Sequence, residues 1–426
     1  MLFENISYLN ESFEVIKNTN ILVEHDLISY IGKETPRSYN GRRLDGKNKL
    51  LMPGFVNTHC HVPMTIFRSL GGNLPLDKWL ENFIFPFEAK LTEKAVYTGS
   101  LIGISEMIKS GVTSFNNMYY FSETICSAID ESGIKANIAM EGLSFDDSIN
   151  NKYTCNKDDA INFFKNYNNS CGGRIKTDLS IHSEYTGNPQ KAEMIGALAR
   201  ELNTGIQLHL SETEKGTKDC ILRHGKTPPQ YFESLGVFDN HVTAAHCVYI
   251  NDDDIEILKN KNVTVSHCPL SNLKLGSGIC DISKLINKGI NVTIGTDGAA
   301  SNDNLNFLED IKMSALLAKG IHKDASMISS EDIIKAATVN GAMSQRRYDT
   351  GVIAPGKKAD LFVMDFSGIN LLPGNDFLNG LIYASLPENI ILTMADGKIL
   401  YENGVFTGID IEKLKYEAIG ILGDIK

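Results

Sequence analysis

Leu51-Met-Pro-Gly-Phe-Val-Asn-Thr-His-Cys-His61 is an apolar run that turns polar and closes on two histidines one residue apart. Side chains of an extended chain alternate with a period of two, so His59 and His61 project to the same side of the strand that ends there. Two imidazoles on one side suit a single metal ion. Further short apolar runs follow it: Thr113 to Phe115, Ala136 to Ala139, Leu179 to Ile181, Ile206 to Leu208, Val242 to Ala245, Val263 to Val265 and Val292 to Ile294. Between them lies helical periodicity, as in Tyr97 to Lys109, where Leu101, Ile104, Met107 and Ile108 share a face, and in Lys191 to Leu202. Strand and helix alternating in this way predict an α/β fold, a (β/α)8 barrel of the TIM type, rather than a sandwich or a bundle.

The two ends of the chain read differently. Residues 1–50 and 350–426 carry short β patterns punctuated by Asp45-Gly46, Pro355-Gly356, Asp396-Gly397 and Asn403-Gly404. Each segment alone is too small to bury a core. Together they are expected to build a small β-sandwich domain beside a catalytic barrel of residues 51–349.

Barrel active sites form at the carboxyl ends of the strands, so the residue closing each apolar run is the informative one. Those positions read His59 and His61, Asn116 and Asn117, Glu141, His182, His209, His246, His267 and Asp297. The chain has only 10 histidines in 426 residues, and most of them fall here. Histidines that merely fill a core have no reason to choose strand ends. Adding His209 and Asp297 to His59 and His61 gives imidazoles and a carboxylate, a donor set that suits Zn²⁺ or Fe²⁺ better than Mg²⁺ or Ca²⁺. A metal so held would lower the pKa of a bound water to about 7.

Composition sets the limits. With 42% hydrophobic and 22% charged residues the chain reads as an ordinary globular protein. A net charge of −11 argues against nucleic acid as a partner, because a polyanion needs a basic face. No apolar run approaches the roughly 20 residues needed to cross a bilayer, and the start Met1-Leu-Phe-Glu-Asn-Ile has no secretory pattern. No membrane association and a cytoplasmic location are therefore expected. The 8 cysteines form no CxxC pair, which points to reduced thiols rather than a disulfide scaffold.

Several longer stretches resemble the metal-dependent amidohydrolase superfamily, and within it the 5'-methylthioadenosine/S-adenosylhomocysteine deaminase family. They are Leu51 to His61, Leu74-Pro-Leu-Asp-Lys-Trp-Leu-Glu81, Phe85-Pro-Phe-Glu-Ala-Lys-Leu-Thr92, His209-Leu-Ser-Glu-Thr213, Ala244-Ala-His-Cys247, Ser266-His-Cys-Pro-Leu-Ser-Asn272, Gly295-Thr-Asp-Gly-Ala-Ala-Ser-Asn302 and Pro355-Gly-Lys-Lys-Ala-Asp-Leu361. The resemblance implies that His59, His61, His209 and Asp297 bind one divalent metal ion, zinc or iron. It implies Glu212 as general acid and base, with His246 and Asp297 orienting the water and taking its proton. Glu88 would bind ribose hydroxyls and His182 would contact the purine. The reaction implied is deamination of an adenosine-type nucleoside, a small-molecule substrate, by a homo-oligomeric enzyme. Two-metal relatives close the fourth strand with a carbamylated lysine; His182 stands there instead, and Lys176 precedes the strand.

Other positions carry more than one reading. Trp79 either walls the purine pocket or packs within its loop. His267 is expected to brace a strand end through hydrogen bonds. Glu141 and Glu184 are either solvated charges near the mouth or substrate contacts. Gly71-Gly72 and Gly276-Ser-Gly278 suggest loops around the site.

The chain also departs from the resembled family. Relatives that accept S-adenosylhomocysteine are expected to hold its amino-acid tail with arginines after the third strand. This chain has Glu141 there, in Met140-Glu-Gly-Leu143, and no arginine between Arg68 and Arg174. Lys152 and Lys157 remain as point charges only. A small or neutral 5' group is therefore expected: adenosine, 5'-deoxyadenosine or 5'-methylthioadenosine. The alternative is an amidohydrolase acting on a free base or related heterocycle (guanine, a pterin or an oxidised purine) or on a triazine. A barrel that works only through protein contacts is disfavoured, because the full donor set and Glu212 are present.

Overall fold

The structure, a computed structural model, describes residues 1–36, 39–144 and 153–425. Five strands come from the amino end: β1 (Leu2–Leu9), β2 (Val15–Glu24), β3 (Leu27–Gly32), β4 (Arg43–Asp45) and β5 (Lys49–Pro53). The next eight form one parallel sheet: β6 (Phe55–Asn57), β7 (Val112–Tyr119), β8 (Lys135–Met140), β9 (Ile175–Ile181), β10 (Gly205–Leu210), β11 (His241–His246), β12 (Thr264–His267) and β13 (Val292–Ile294). They pair in chain order, and the last meets the first where Thr58 N donates to Ile294 O at 3.0 Å. The result is a TIM-like barrel.

Four further strands, β14 (Leu361–Asp365), β15 (Ile390–Ala395), β16 (Lys398–Glu402) and β17 (Val405–Phe406), join the amino-terminal ones in a mixed nine-stranded sheet. The two ends of the chain meet where β14 pairs antiparallel with β5, Val363 opposite Leu51. That sheet has its own apolar core, with Phe3, Ile21, Leu51, Leu361, Val363 and Leu392 buried together.

The apolar run that opens the barrel is divided between the two sheets. Leu51 to Pro53 belongs to β5 and Phe55 to Asn57 to β6, with Gly54 as the joint. A Cβ at Gly54 would come within 2.0 Å of Thr113 Oγ1, so only glycine lets the chain pass so close to β7. The second strand also runs further than its apolar core, to Tyr119, which leaves Asn116 and Asn117 buried inside it rather than closing it. After Phe406 the β pattern stops, and Ile411–Ile425 is a helix, not a strand. Leu414 and Ile421, two helical turns apart, are buried, so the helix packs by one apolar stripe.

Local chemistry starts and stops the barrel helices. Thr92 caps Glu93–Lys109 by accepting from Ala95 N, and Asn188 caps Pro189–Leu202 with proline at the first position. Lys135 at the start of β8 is buried, and its Nζ lies 2.8 and 2.6 Å from the two oxygens of Asp360 and 2.7 Å from Asp396 Oδ1. This cluster ties the barrel floor to the terminal sheet. Among the described residues no helix is long and apolar enough to cross a membrane, and all eight cysteines are free.

Candidate active site

The donor atoms of His59, His61, His209 and Asp297 converge, all within 4.8 Å of one another. His59 and His61 follow β6, His209 lies in β10 and Asp297 comes just after β13. The backbone holds these pieces together, since Asp297 N donates to His59 O at 3.0 Å and Asn57 Nδ2 to Thr296 Oγ1 at 2.7 Å. Asp297 has φ 60°, in the left-handed region that few non-glycine residues adopt. Gly295 makes room: a Cβ there would meet His59 Cβ at 2.8 Å.

Three of the four donors are oriented from behind. His61 Nδ1 faces the Met118 carbonyl, and His209 Nδ1 lies 2.7 Å from the His182 carbonyl. A carbonyl only accepts, so both Nδ1 atoms carry hydrogen and both Nε2 atoms turn a lone pair inward. Asp297 Oδ2 accepts from Ser271 and Ser301 hydroxyls at 2.6 and 2.8 Å, while Oδ1 faces the Nε2 atoms of His59 and His61 at 3.4 and 3.3 Å. His59 Nε2 is buried without a hydrogen-bond partner. An orphaned buried nitrogen beside two inward lone pairs and a carboxylate fits a divalent cation.

The electrostatics agree. Burial pushes His59 down to about 4, against the pull of Asp297, and burial with the neighbouring imidazoles puts His209 well below the usual histidine range. Neutral imidazole is the form that binds metal. Burial pulls the Asp297 carboxyl upward, but the imidazoles of His59, His61 and His246 around it outweigh that and hold the group well below the usual carboxylate range.

One cavity opens over this cluster. His61, His209 and Asp297 line it together with Glu212, His246, His182, Trp79, Glu88 and Glu141. Glu212 leaves β10 two residues after its end, and Thr213 then caps the helix Glu214–His224, which fixes where the carboxylate stands. Burial raises the Glu212 pKa, with His246 opposing. His246 Nε2 lies 3.9 Å from Glu212 Oε2, and its Nδ1 is 2.8 Å from Asn272 Oδ1. His182 is pushed down by burial and so is neutral. Glu88 is 8% exposed and accepts from Tyr119 OH at 2.7 Å. Burial raises its pKa to about 7, the Tyr119 hydrogen bond opposing and the Glu141 charge adding.

Trp79 packs within its loop and also lines the cavity, its Nε1–H donating to Leu70 O at 2.9 Å. Glu184 does not reach the cavity: it is buried and pairs with Arg223 and with His224 Nε2. His267 makes no bracing hydrogen bond, for both ring nitrogens are buried without a partner. Lys157 is taken up by Glu201 at 3.0 Å, and Lys152 lies outside the described residues. Lys176 sits at the start of β9, its Nζ 2.6 Å from Arg346 O, at the opposite end from His182.

Sequence reasoning missed several contributors. Ser271, Asn272 and Ser301 lie inside quoted motifs, and their hydroxyl and amide chemistry was the available signal. Ser277, whose Oγ is 3.5 Å from Glu212 Oε1, lies in the Gly276-Ser-Gly278 loop, and Tyr119 carries no local pattern.

The sequence pattern of the amidohydrolase family matches residues 50–400. A 5-methylthioadenosine/S-adenosylhomocysteine deaminase of Dictyoglomus turgidum is 39% identical over 418 residues, 98% of this chain and 97% of that protein. A 5'-deoxyadenosine deaminase of Methanocaldococcus jannaschii is 40% identical over 407 residues, 94% of this chain and 95% of the other. Among solved structures, an adenosine deaminase from Xanthomonas campestris with bound zinc superimposes with a TM-score of 0.93 at 28% identity, covering 100% of this chain and 98% of its own.

Proposed function

Since the chain belongs to the amidohydrolase family, we propose that it is a metal-dependent hydrolase that removes the 6-amino group of an adenosine-type nucleoside. Adenosine, 5'-deoxyadenosine or 5'-methylthioadenosine would become the inosine analogue with release of ammonia. The observation that carries this reading is one cavity that joins the His59, His61, His209 and Asp297 cluster and Glu212 to the buried pair Glu88 and Tyr119. A free base has no hydroxyls to give such a carboxylate; a ribose has two.

A divalent ion held by His59, His61, His209 and Asp297 supplies Lewis-acid activation of a water at that end of the cavity. The donor set favours zinc, and the imidazole of His182 in place of a lysine at the end of β9 favours one ion per chain.

The protein's own groups divide the remaining work. Glu212, with its pKa raised by burial, holds a proton that it gives to ring nitrogen N1 as oxygen adds to C6. Glu212, now a carboxylate, takes the proton left on the oxygen added to C6 and passes it to the departing amine as the C6–N bond breaks and the C6–O double bond forms; the water proton held by His246 then returns to Glu212. Asn272 Oδ1 accepts from His246 Nδ1, which leaves His246 Nε2 as an acceptor facing Glu212, placed to take a proton from the attacking water. Asp297 shares that task from the other side. His182, neutral, offers a hydrogen bond to the purine, and Glu88 accepts from the ribose hydroxyls.

The test is ammonia release from zinc-loaded protein across purine nucleosides, free purine bases and pterins. Turnover of 5'-deoxyadenosine and adenosine without turnover of guanine or pterins is expected. Activity on bases alone would overturn the nucleoside assignment.

A further inference from the structure

The register of the barrel sets Tyr119 of β7 opposite Met140 of β8, so the next residues, Tyr120 and Glu141, stand side by side beyond neighbouring strand ends. Both line the active-site cavity, and both also line a second cavity of about 420 Å³ that leads outward past Phe121 and Tyr153. The Tyr120 and Tyr153 rings lie 4.6 Å apart, and Phe121 meets Tyr153 edge-on at 6.0 Å. Glu141 is held by the Ser180 hydroxyl, 2.9 Å from its Oε2, and among the described residues no lysine, arginine or histidine forms an ion pair with it. A carboxylate at the junction of two cavities, beside aromatic rings and, among the described residues, without an ion-pair partner is arranged to receive a cation, Lys191 and His182 being basic groups that feel its charge without pairing with it.

Resting on the nucleoside reading above, we propose that the enzyme favours adenosine-type substrates whose 5' substituent is cationic, an ammonium or a sulfonium, and that Glu141 sets this preference. Glu88 and Glu141 face the same cavity, and two like charges there repel. A 5' cation between Glu141 and the Tyr120 ring relieves that repulsion, which a neutral methyl or methylthio group cannot do. An amino-acid tail brings its own carboxylate toward Glu141 and forfeits the gain. The preference is therefore for positive charge, not for size.

The experiment compares 5'-amino-5'-deoxyadenosine, an ammonium at neutral pH, with 5'-deoxyadenosine, nearly the same in size, using zinc-loaded wild-type protein and Glu141→Gln. In the wild type, kcat/KM for the amino compound should exceed that for 5'-deoxyadenosine by about tenfold at low salt, chiefly through KM. Added salt should shrink that ratio, and Glu141→Gln should bring it close to one. A wild-type ratio of one or less, or a ratio unaffected by Glu141→Gln, would overturn the proposal while 5'-deoxyadenosine turnover left the nucleoside reading standing. Turnover of neither nucleoside, with activity on a free base, would overturn both. The wild-type ratio and its salt dependence decide the matter even if Glu141→Gln does not fold.

Discussion

His246 Nε2 lies 3.9 Å from Glu212 Oε2 while its Nδ1 is fixed on Asn272 Oδ1. Burial raises the Glu212 carboxyl pKa, and the His246 ring beside it has one nitrogen committed to the Asn272 amide oxygen. The two side chains stand close enough to contact one bound water or reacting group together.

Glu212→Gln keeps the shape and removes the proton transfer. kcat should fall by about 10²- to 10⁴-fold, with metal content per chain equal to wild type by elemental analysis. Turnover near the wild-type rate would refute the assigned role.

Asn272→Leu leaves every metal donor in place but frees the His246 ring. Activity should drop by about 10- to 100-fold, the usual cost of losing a group that orients a reactive imidazole. The measurement is kcat at saturating nucleoside, with unchanged zinc content as the control.

Metal removal should lower stability as well as activity, because the donors converge only in the folded chain. Zinc at about 100 times its dissociation constant adds about 2.7 kcal/mol to the folded state. The melting temperature of chelator-treated protein should rise when zinc is restored, and His209→Ala should lose most of that rise.

Glu88 gives a pH dependence whose sign follows from its environment. Burial raises its carboxyl to about 7, so below that pH it is protonated and offers the ribose a poorer acceptor. KM for a nucleoside should rise as pH falls through about 7, and Glu88→Gln should abolish that dependence. Tyr119→Phe removes the hydrogen bond that favours the charged form and should move the midpoint upward. The folded chain holds this proton where the unfolded chain, with a carboxyl pKa of about 4.3, has lost it. Stability contributed by this group therefore declines as pH rises between the two values.

Lys135→Met leaves the buried Asp360 without its lysine and Asp396 with Lys358 at 3.9 Å. The loss should be about 3–5 kcal/mol, read as a lower midpoint in denaturant. A change under 1 kcal/mol would show that the cluster is not what joins barrel and terminal sheet.

The barrel was legible because eight short β-branched runs separated by helical patterns admit few other arrangements, and the metal donors because histidine is scarce and gathers at their ends. Boundaries were less legible wherever tertiary pairing extends or divides a run. Tyr119 is drawn into β7 by the register it keeps with β8, and Leu51 is claimed by β14 across a joint that a single glycine permits. Glu184 illustrates the limit on single residues. It follows His182 by two positions and resembles a mouth carboxylate, but Arg223 and His224 on the helix after Glu212 turn it away. No local pattern encodes a partner so far along the chain.

The donors that meet at the seam of the barrel are separated by most of its length, since His59 and His61 follow the first barrel strand and Asp297 follows the last. On a ribosome moving at about 5–20 residues per second, the two histidines wait on the order of ten to fifty seconds for the aspartate that completes their set. During that interval the growing chain lacks the carboxylate that completes the donor set. Closing the seam and arming the enzyme are one event, so an unfinished or truncated chain is also an inert one.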